Sequence, residues 1–319
     1  MDLSLVFTFL ILIAGFVLLI KGADFFVEGS ASIAKMLRVP SLIIGMTIVA
    51  MGTSLPECSV SITASLTGQN SLAVSNAVGS NIFNLMVVCG VCALFTPLKV
   101  KADTIKKDFP FSVICAGLLL ALGYIGMVLG REDGIILLVI FVLFLLYMIK
   151  SAIKARNAGE TVEIEGEDAQ IHPVWKSILF IVLGAAAIAW GGDLVVDSAS
   201  VIAAAFGMSQ TLIGLTICAI GTSLPELVTS IVAARKNQVD MALGNVIGSN
   251  IFNILFVLGI GASISPIGFI TENMIDIAIL IAMSLIVWIF TWSKRRVNRA
   301  EGICMLLLYV AYWGYICIR

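Results

Sequence analysis

Charge is scarce in this sequence. Asp, Glu, Lys and Arg together make up 12% of the 319 residues, about half the share of a soluble domain. Histidine is nearly absent: His172 is the only one, in the most polar stretch of the chain, which argues against a histidine-built metal or catalytic centre. The formal net charge is −1, so nothing recruits a polyanion and nucleic acid is excluded as a partner. No basic segment precedes the first apolar run and no small-residue cleavage site follows it. That run reads as a retained first helix, not a signal peptide. The seven cysteines (58, 89, 92, 115, 218, 304 and 317) fall almost entirely inside apolar stretches. Even the Cys89–Cys92 pair, a CxxC, lacks the companion loop of a metal or redox motif, and all seven read as small buried hydrophobes.

What is abundant is apolar length. Hydrophobic residues make up 60% of the chain, in run after run of the roughly 20 residues that cross a bilayer. The runs do not alternate apolar and polar residues, so helices are the spanning structure that satisfies the backbone. The expected spans are 4–30, 40–66, 72–95, 109–129, 133–152, 174–204, 210–234, 241–263, 273–292 and 301–318. The expected fold class is an all-α integral membrane protein of about ten helices. Basic residues mark every odd-numbered connection: Lys35 and Arg38, then Lys99 to Lys107, Lys150 to Lys176, Arg235 and Lys236, and Lys294 to Arg299. Even-numbered connections carry only Arg131 beside acids. The positive-inside rule then puts odd connections in the cytoplasm and both termini outside. The stretch 153–172, with Glu160, Glu163, Glu165, Glu167 and Asp168, reads as a solvated cytoplasmic linker between residues 1–152 and 173–319.

Those halves repeat each other. LIIGMTIVAMGTSLPECSVS at 42–61 returns as TLIGLTICAIGTSLPELVTS at 211–230, and NAVGSNIFN at 76–84 returns as NVIGSNIFN at 245–253. One gapless offset of 169 relates Glu57 to Glu226 and Asn84 to Asn253. Five spans per half is an odd number, so the second copy enters the membrane from the opposite side. Inverted five-helix repeats are the architecture of secondary transporters, with the ion site near the midplane.

The repeated segments carry the chemistry. Glu57 and Glu226 lie near the middle of helices 2 and 7, where an acid costs about 2.5–3.5 kcal/mol to insert and therefore faces a cavity or partner. Pro56 and Pro225 cannot donate to the carbonyls of Gly52 and Gly221, so each GTSLP run is expected to kink and free carbonyls. Thr53, Ser54, Thr222 and Ser223 sit within a turn of the glutamates. Asn76, Ser80 and Asn84 share one face of helix 3, and Asn245, Ser249 and Asn253 one face of helix 8. Asn81 and Asn250 lie off that face and read as helix–helix hydrogen-bonding residues. An all-oxygen set of this kind suits Na⁺, Ca²⁺ or Mg²⁺ over zinc or copper.

On the paired GTSLPE and GSNIFN motifs, the sequence resembles the cation/calcium exchanger superfamily, in its prokaryotic sodium/calcium exchanger branch. The resemblance covers residues 42–91 and 211–260 motif by motif, and the whole chain in helix count. It implies Glu57 and Glu226 as central carboxylates shared by Ca²⁺ and Na⁺. It implies Thr53, Ser54, Ser80, Thr222, Ser223 and Ser249 as sodium ligands, with the carbonyls of Ala50 and Ala219, and Asn84 and Asn253 completing the centre. Some relatives, potassium-dependent members among them, carry an acid at position 253, so Asn253 favours potassium independence.

The implied function is secondary antiport of sodium against calcium across the cell membrane, with no cofactor and no enzyme activity. The resemblance implies about three Na⁺ per Ca²⁺, hence electrogenic exchange, with calcium leaving the cell. The two carboxylates can neutralise either load but not both, and the empty pair is too costly to reorient. Helices 1 and 6, long and rich in small residues, are the natural sliding elements. The rivals are calcium/proton antiport, an ion channel, and an intramembrane hydrolase at Ser54 or Ser223, for which no nucleophile–base pair can be drawn. The expected partners are the lipid bilayer and the two transported ions, for a monomer or weak homo-oligomer.

Overall fold

The computed structural model describes residues 3–67, 70–157, 170–208, 217, 219–292 and 295–318. The linker acids Glu160 to Asp168, Cys218, Lys294 and the stretch 209–216 that opens the seventh expected span lie outside that set.

The first half begins with α1, Leu3–Leu37, which runs past its expected end at residue 30. It stops where Arg38 takes a left-handed backbone (φ 55) just ahead of Pro40, which no helix interior accommodates. Next come α2, Ser41–Thr53, and α3, Leu55–Leu66, bent by 50° at Ser54. The expected kink is therefore present, with Pro56 in the first turn of α3, where its missing N–H costs nothing. Helix α4 runs as Asn70–Phe83, a π turn Asn84–Val88, and Cys89–Phe95. Helix α5, Phe109–Tyr124, is preceded without a break by a π turn Thr104–Asp108. It ends before the expected residue 129, at Gly126 (φ 78) and Met127 (φ 54). Helix α6, Arg131–Asn157, continues into the stretch read as linker.

The second half comprises α7, Val174–Ala205; α8, Ala219–Gly221; and α9, Leu224–Arg235. It continues with α10, Val239–Ile264, interrupted by a π turn Asn253–Val257, then α11, Thr271–Trp292, and α12, Arg299–Ile318. Among the described residues, seven helices are each long and apolar enough to span a bilayer, and the bent α2–α3 pair makes an eighth if it counts as one span. The architecture is that of an all-α membrane protein.

The halves interlock in a repeated pattern. Helix α4 packs on α12 and, equivalently, α10 packs on α6; α5 faces α11, and α1 faces α7. Two short ribbons follow the same symmetry: β1 (Leu98–Lys99) pairs antiparallel with β4 (Arg296–Val297), and β2 (Val128–Leu129) with β3 (Ile267–Gly268). Every residue from Val239 to Phe252 in α10 is buried, which explains why an apolar helix can carry two asparagines and a serine there. By contrast, α1, α6 and α7 turn Phe7, Leu10, Ile13, Leu143 and Leu183 outward, as lipid-facing helices do.

Close approach depends on glycine at several crossings. A Cβ on Gly45 would lie 2.5 Å from Met241 O, and one on Gly244 would lie 2.5 Å from Leu42 O, so α2 and α10 meet backbone to backbone. Gly22, Gly184 and Gly191 make the same contact between α1 and α7. One end of that pair is tied to the α9–α10 turn. Lys236 Nζ donates to Asp24 O at 3.0 Å and lies 3.3 Å from Asp24 Oδ1. Glu28, next along α1, is met by His172 Nε2 at 2.7 Å. The single histidine is thus a buried helix-end partner.

Candidate functional site: a buried glutamate pair in an all-oxygen shell

Each glutamate sits in the first turn of a helix that restarts after the GTS break, Glu57 in α3 and Glu226 in α9. Both are fully buried. A carboxylate in the first turn of a helix is stabilised by the unsatisfied N–H groups there, which offsets part of the cost of leaving water. Among the described residues, neither carboxylate forms an ion pair.

The serines of the two breaks serve the opposite half. Ser54 Oγ donates to Glu226 Oε1 at 2.7 Å, and Ser223 Oγ donates to Glu57 Oε1 at 3.1 Å. Ser80 Oγ lies 3.4 Å from Glu57 Oε1 and 3.0 Å from Ser223 Oγ. This crosswise bonding brings α2, α3, α4 and α9 to one point. Thr53 Oγ1 donates to Asn245 Oδ1 at 3.1 Å and lies 3.4 Å from Ala50 O. Ser249 Oγ donates to the same Asn245 Oδ1 at 3.5 Å. Asn245 Nδ2 donates to Ser230 Oγ at 2.9 Å and reaches Glu226 O at 3.4 Å. In the other half, Asn76 Nδ2 does the same to Ser61 Oγ at 3.3 Å and Glu57 O at 3.5 Å. These asparagines tie α3 to α4 and α9 to α10 by the backbone of each glutamate.

What remains unbonded is as informative. Glu57 Oε2, Glu226 Oε2, Thr222 Oγ1, Asn253 Oδ1 and both amide atoms of Asn84 are buried without a hydrogen-bond partner. Buried polar atoms are almost always satisfied, so an oxygen left over on each of two buried carboxylates calls for a partner, and a cation is one that suits it. Both asparagines begin a π turn, a helix irregularity often found at functional positions.

Of the residues expected from sequence, Glu57, Glu226, Ser54, Ser223 and Ser80 come together directly. Thr53 and Ser249 join through Asn245, and Ala50 through Thr53, whereas Asn84, Asn253 and Thr222 hold unpartnered atoms. Ala219 begins α8; the Ser223 N–H bonds to Ile220 O at 3.1 Å, whereas the Ser54 N–H bonds to Ala50 O at 3.1 Å, so the second break is the tighter turn. Sequence reasoning missed Ser61 and Ser230, each four residues beyond its glutamate, a spacing that puts them on the same face.

The family pattern described as sodium/calcium exchanger protein matches residues 7–150 and 176–317, one stretch in each half. The chain belongs to the sodium/calcium exchanger family. Members of this family are transporters, which places the chain among cation/calcium antiporters and not among enzymes. It is similar to the putative antiporter CaxA of Alkalimonas amylolytica, 43% identical over 97% of this chain and 98% of that protein. It is also similar to the sodium/calcium exchanger MaX1 of Methanosarcina acetivorans, 35% identical over 95% and 97%. Among solved structures, the sodium-calcium exchanger NCX_Mj soaked with 2.5 mM Na⁺ and 0.1 mM Ca²⁺ matches with a TM-score of 0.82 and 34% identity, covering 98% of both chains. The same exchanger in 100 mM Na⁺ and 10 mM Sr²⁺ matches with a TM-score of 0.83 and 33% identity, over 96% of this chain and 97% of that one. The family fold thus spans the whole length of this chain.

Proposed function

We propose that this chain exchanges Na⁺ for Ca²⁺ by alternating access, electrogenically and without potassium. The observation that carries the reading is the pair of fully buried glutamates, each with one carboxylate oxygen unpartnered, inside a shell of hydroxyl and amide oxygens. Glu57 and Glu226 serve as the central ligands. Thr53, Ser54, Ser80, Thr222, Ser223 and Ser249, with the carbonyls of Ala50 and Ala219, provide the flanking sodium positions, and Asn84 and Asn253 complete the centre. The pair balances one divalent ion or a set of monovalent ions, so the two loads compete. The unloaded pair, two charges in low dielectric, is too costly to carry across. Competition and that penalty together make exchange obligatory. The neutral Asn253 supports potassium independence.

The relative in Escherichia coli, 38% identical, is named an inner membrane protein, and the present chain is assigned the same kind of membrane. Basic odd-numbered connections support outside termini and a cytoplasmic connection between an N-terminal repeat (1–152) and a C-terminal repeat (173–319). The glycine-lined pairing of α1 with α7 supports their moving as one unit against the rest.

The deciding measurement is radioactive calcium uptake into proteoliposomes loaded with sodium, with potassium or choline controls. Wild type is expected to take up calcium only with internal sodium, and Glu57→Gln to take up none. Uptake driven instead by a pH gradient, without sodium, would replace this reading with calcium/proton antiport.

A further inference from the structure

Asn81 and Asn250 occupy equivalent places in the two halves, 169 residues apart. Each donates its side-chain nitrogen to the other's backbone carbonyl, at 3.1 Å from Asn81 and 3.2 Å from Asn250. That bond fixes the amide end for end: the nitrogen is used, and what remains is an oxygen, which only accepts. The two asparagines are equal up to this point.

Beyond it the symmetry breaks. Asn253 Nδ2 donates to Asn81 Oδ1 at 3.1 Å. An acceptor has to be met by a donor, so Asn253 must present its nitrogen to Asn81, and its oxygen is the atom left over. Asn253 Oδ1 is buried and unpartnered, like Glu57 Oε2 and Glu226 Oε2. The equivalent bond in the other half, from Asn84 to Asn250, is not made: Asn250 Oδ1 and both amide atoms of Asn84 are buried without partners.

We infer that Asn81 is a positioning residue for the cation centre, holding the Asn253 amide so that its oxygen, and not its nitrogen, is available as a ligand. The inference rests on the function proposed above. A cation is coordinated by an amide oxygen and repelled by an amide N–H, so an unheld amide would spend part of its time in the wrong orientation. A carboxylate at 253 has two acceptor oxygens and needs no such orientation. Against Asn81 Oδ1 it would set oxygen against oxygen. The identities of residues 81 and 253 are therefore coupled.

The test is equilibrium binding of radioactive calcium to the purified full-length protein in detergent, for Asn81→Ala and Asn250→Ala, each with Asn253 and with Asn253→Asp. Each alanine variant loses one of the two reciprocal bonds to the other's backbone carbonyl, so a merely structural role moves them equally. Loss of a residue that orients a metal ligand costs about 10- to 100-fold in affinity. Asn81→Ala is expected to weaken calcium binding by at least about tenfold, Asn250→Ala by less than about threefold, and Asn81→Ala to cost nothing further beside Asn253→Asp. Equal losses in the two alanine variants, or a loss at Asn81 that persists beside Asn253→Asp, would overturn the positioning role and leave the proposed exchange intact. Absence of calcium binding by wild type would overturn the exchange reading and the role with it. Melting temperatures are followed throughout. Should Asn81→Ala fail to fold, Asn81→Asp keeps the acceptor and loses the donor: calcium affinity within a few-fold of wild type supports the role, and a tenfold loss overturns it.

Discussion

At the scale of single residues, the centre is held by hydroxyls that cross between halves. Ser54 and Ser223 each donate to the glutamate of the other repeat, at 2.7 and 3.1 Å, so each supports a carboxylate that its own helix does not carry. A hydrogen bond to a charged group contributes about 1.5–3 kcal/mol. Ser54→Ala and Ser223→Ala are each expected to raise the KM for calcium by roughly tenfold or more while leaving the protein folded. Calcium titrations of sodium-driven uptake check this; an unchanged KM in both would show that these bonds do not matter to the loaded centre.

At the scale of helices, the site exists because regular structure fails in matched places. The 50° bend at Ser54 turns the first turn of α3 toward the centre. The π turns beginning at Asn84 and Asn253 insert an extra residue per turn, displacing those side chains from their regular faces. Around these irregular points the packing is tight. A Cβ on Gly244 would lie 2.5 Å from Leu42 O and 3.0 Å from Gly45 Cα, and backbone atoms cannot yield as a flexible side chain does. Overpacking of this kind costs about 1–3 kcal/mol or more, so Gly244→Val is expected to lower the melting temperature in detergent by several degrees and to abolish uptake. Gly117→Ala in α5, where a Cβ meets nothing within 4 Å, should leave both unchanged. A Gly244→Val protein as stable as wild type would mean that α2 and α10 can separate freely.

At the scale of the whole molecule, the proposed exchange would move net charge. If about three Na⁺ leave for each Ca²⁺ that enters, one positive charge moves outward per cycle, and each 100 mV contributes about 2.3 kcal/mol. An inside-positive potential, imposed by a potassium gradient and valinomycin, is expected to accelerate calcium uptake into sodium-loaded vesicles; an inside-negative one should slow it. Uptake indifferent to potential would rule out that stoichiometry while leaving antiport in place.

The sequence by itself determined the class and the repeat, and it singled out most of the residues of the proposed centre. Apolar runs of bilayer length leave the backbone no alternative to helices, and the offset from Glu57 to Glu226 requires two equivalent halves. A buried acid beside a proline announces itself without coordinates, because both are costly in a membrane helix unless something nearby uses them. Helix ends were less legible: α1 outruns its apolar stretch to reach Leu37, and α6 continues to Asn157. A helix stops where a residue such as Arg38 turns left-handed, and the apolar pattern does not record that. Only the tertiary structure decided which atoms bond across the halves. Serine reaching the opposite glutamate, His172 reaching Glu28, and Asn81 accepting from Asn253 while Asn250 Oδ1 stays unbonded all depend on distances between segments far apart in the chain. Two identical motifs carry no sign of which one breaks the symmetry. Packing one against the other supplies it: the Asn253 amide comes within reach of Asn81 Oδ1, and the Asn84 amide does not meet Asn250 Oδ1.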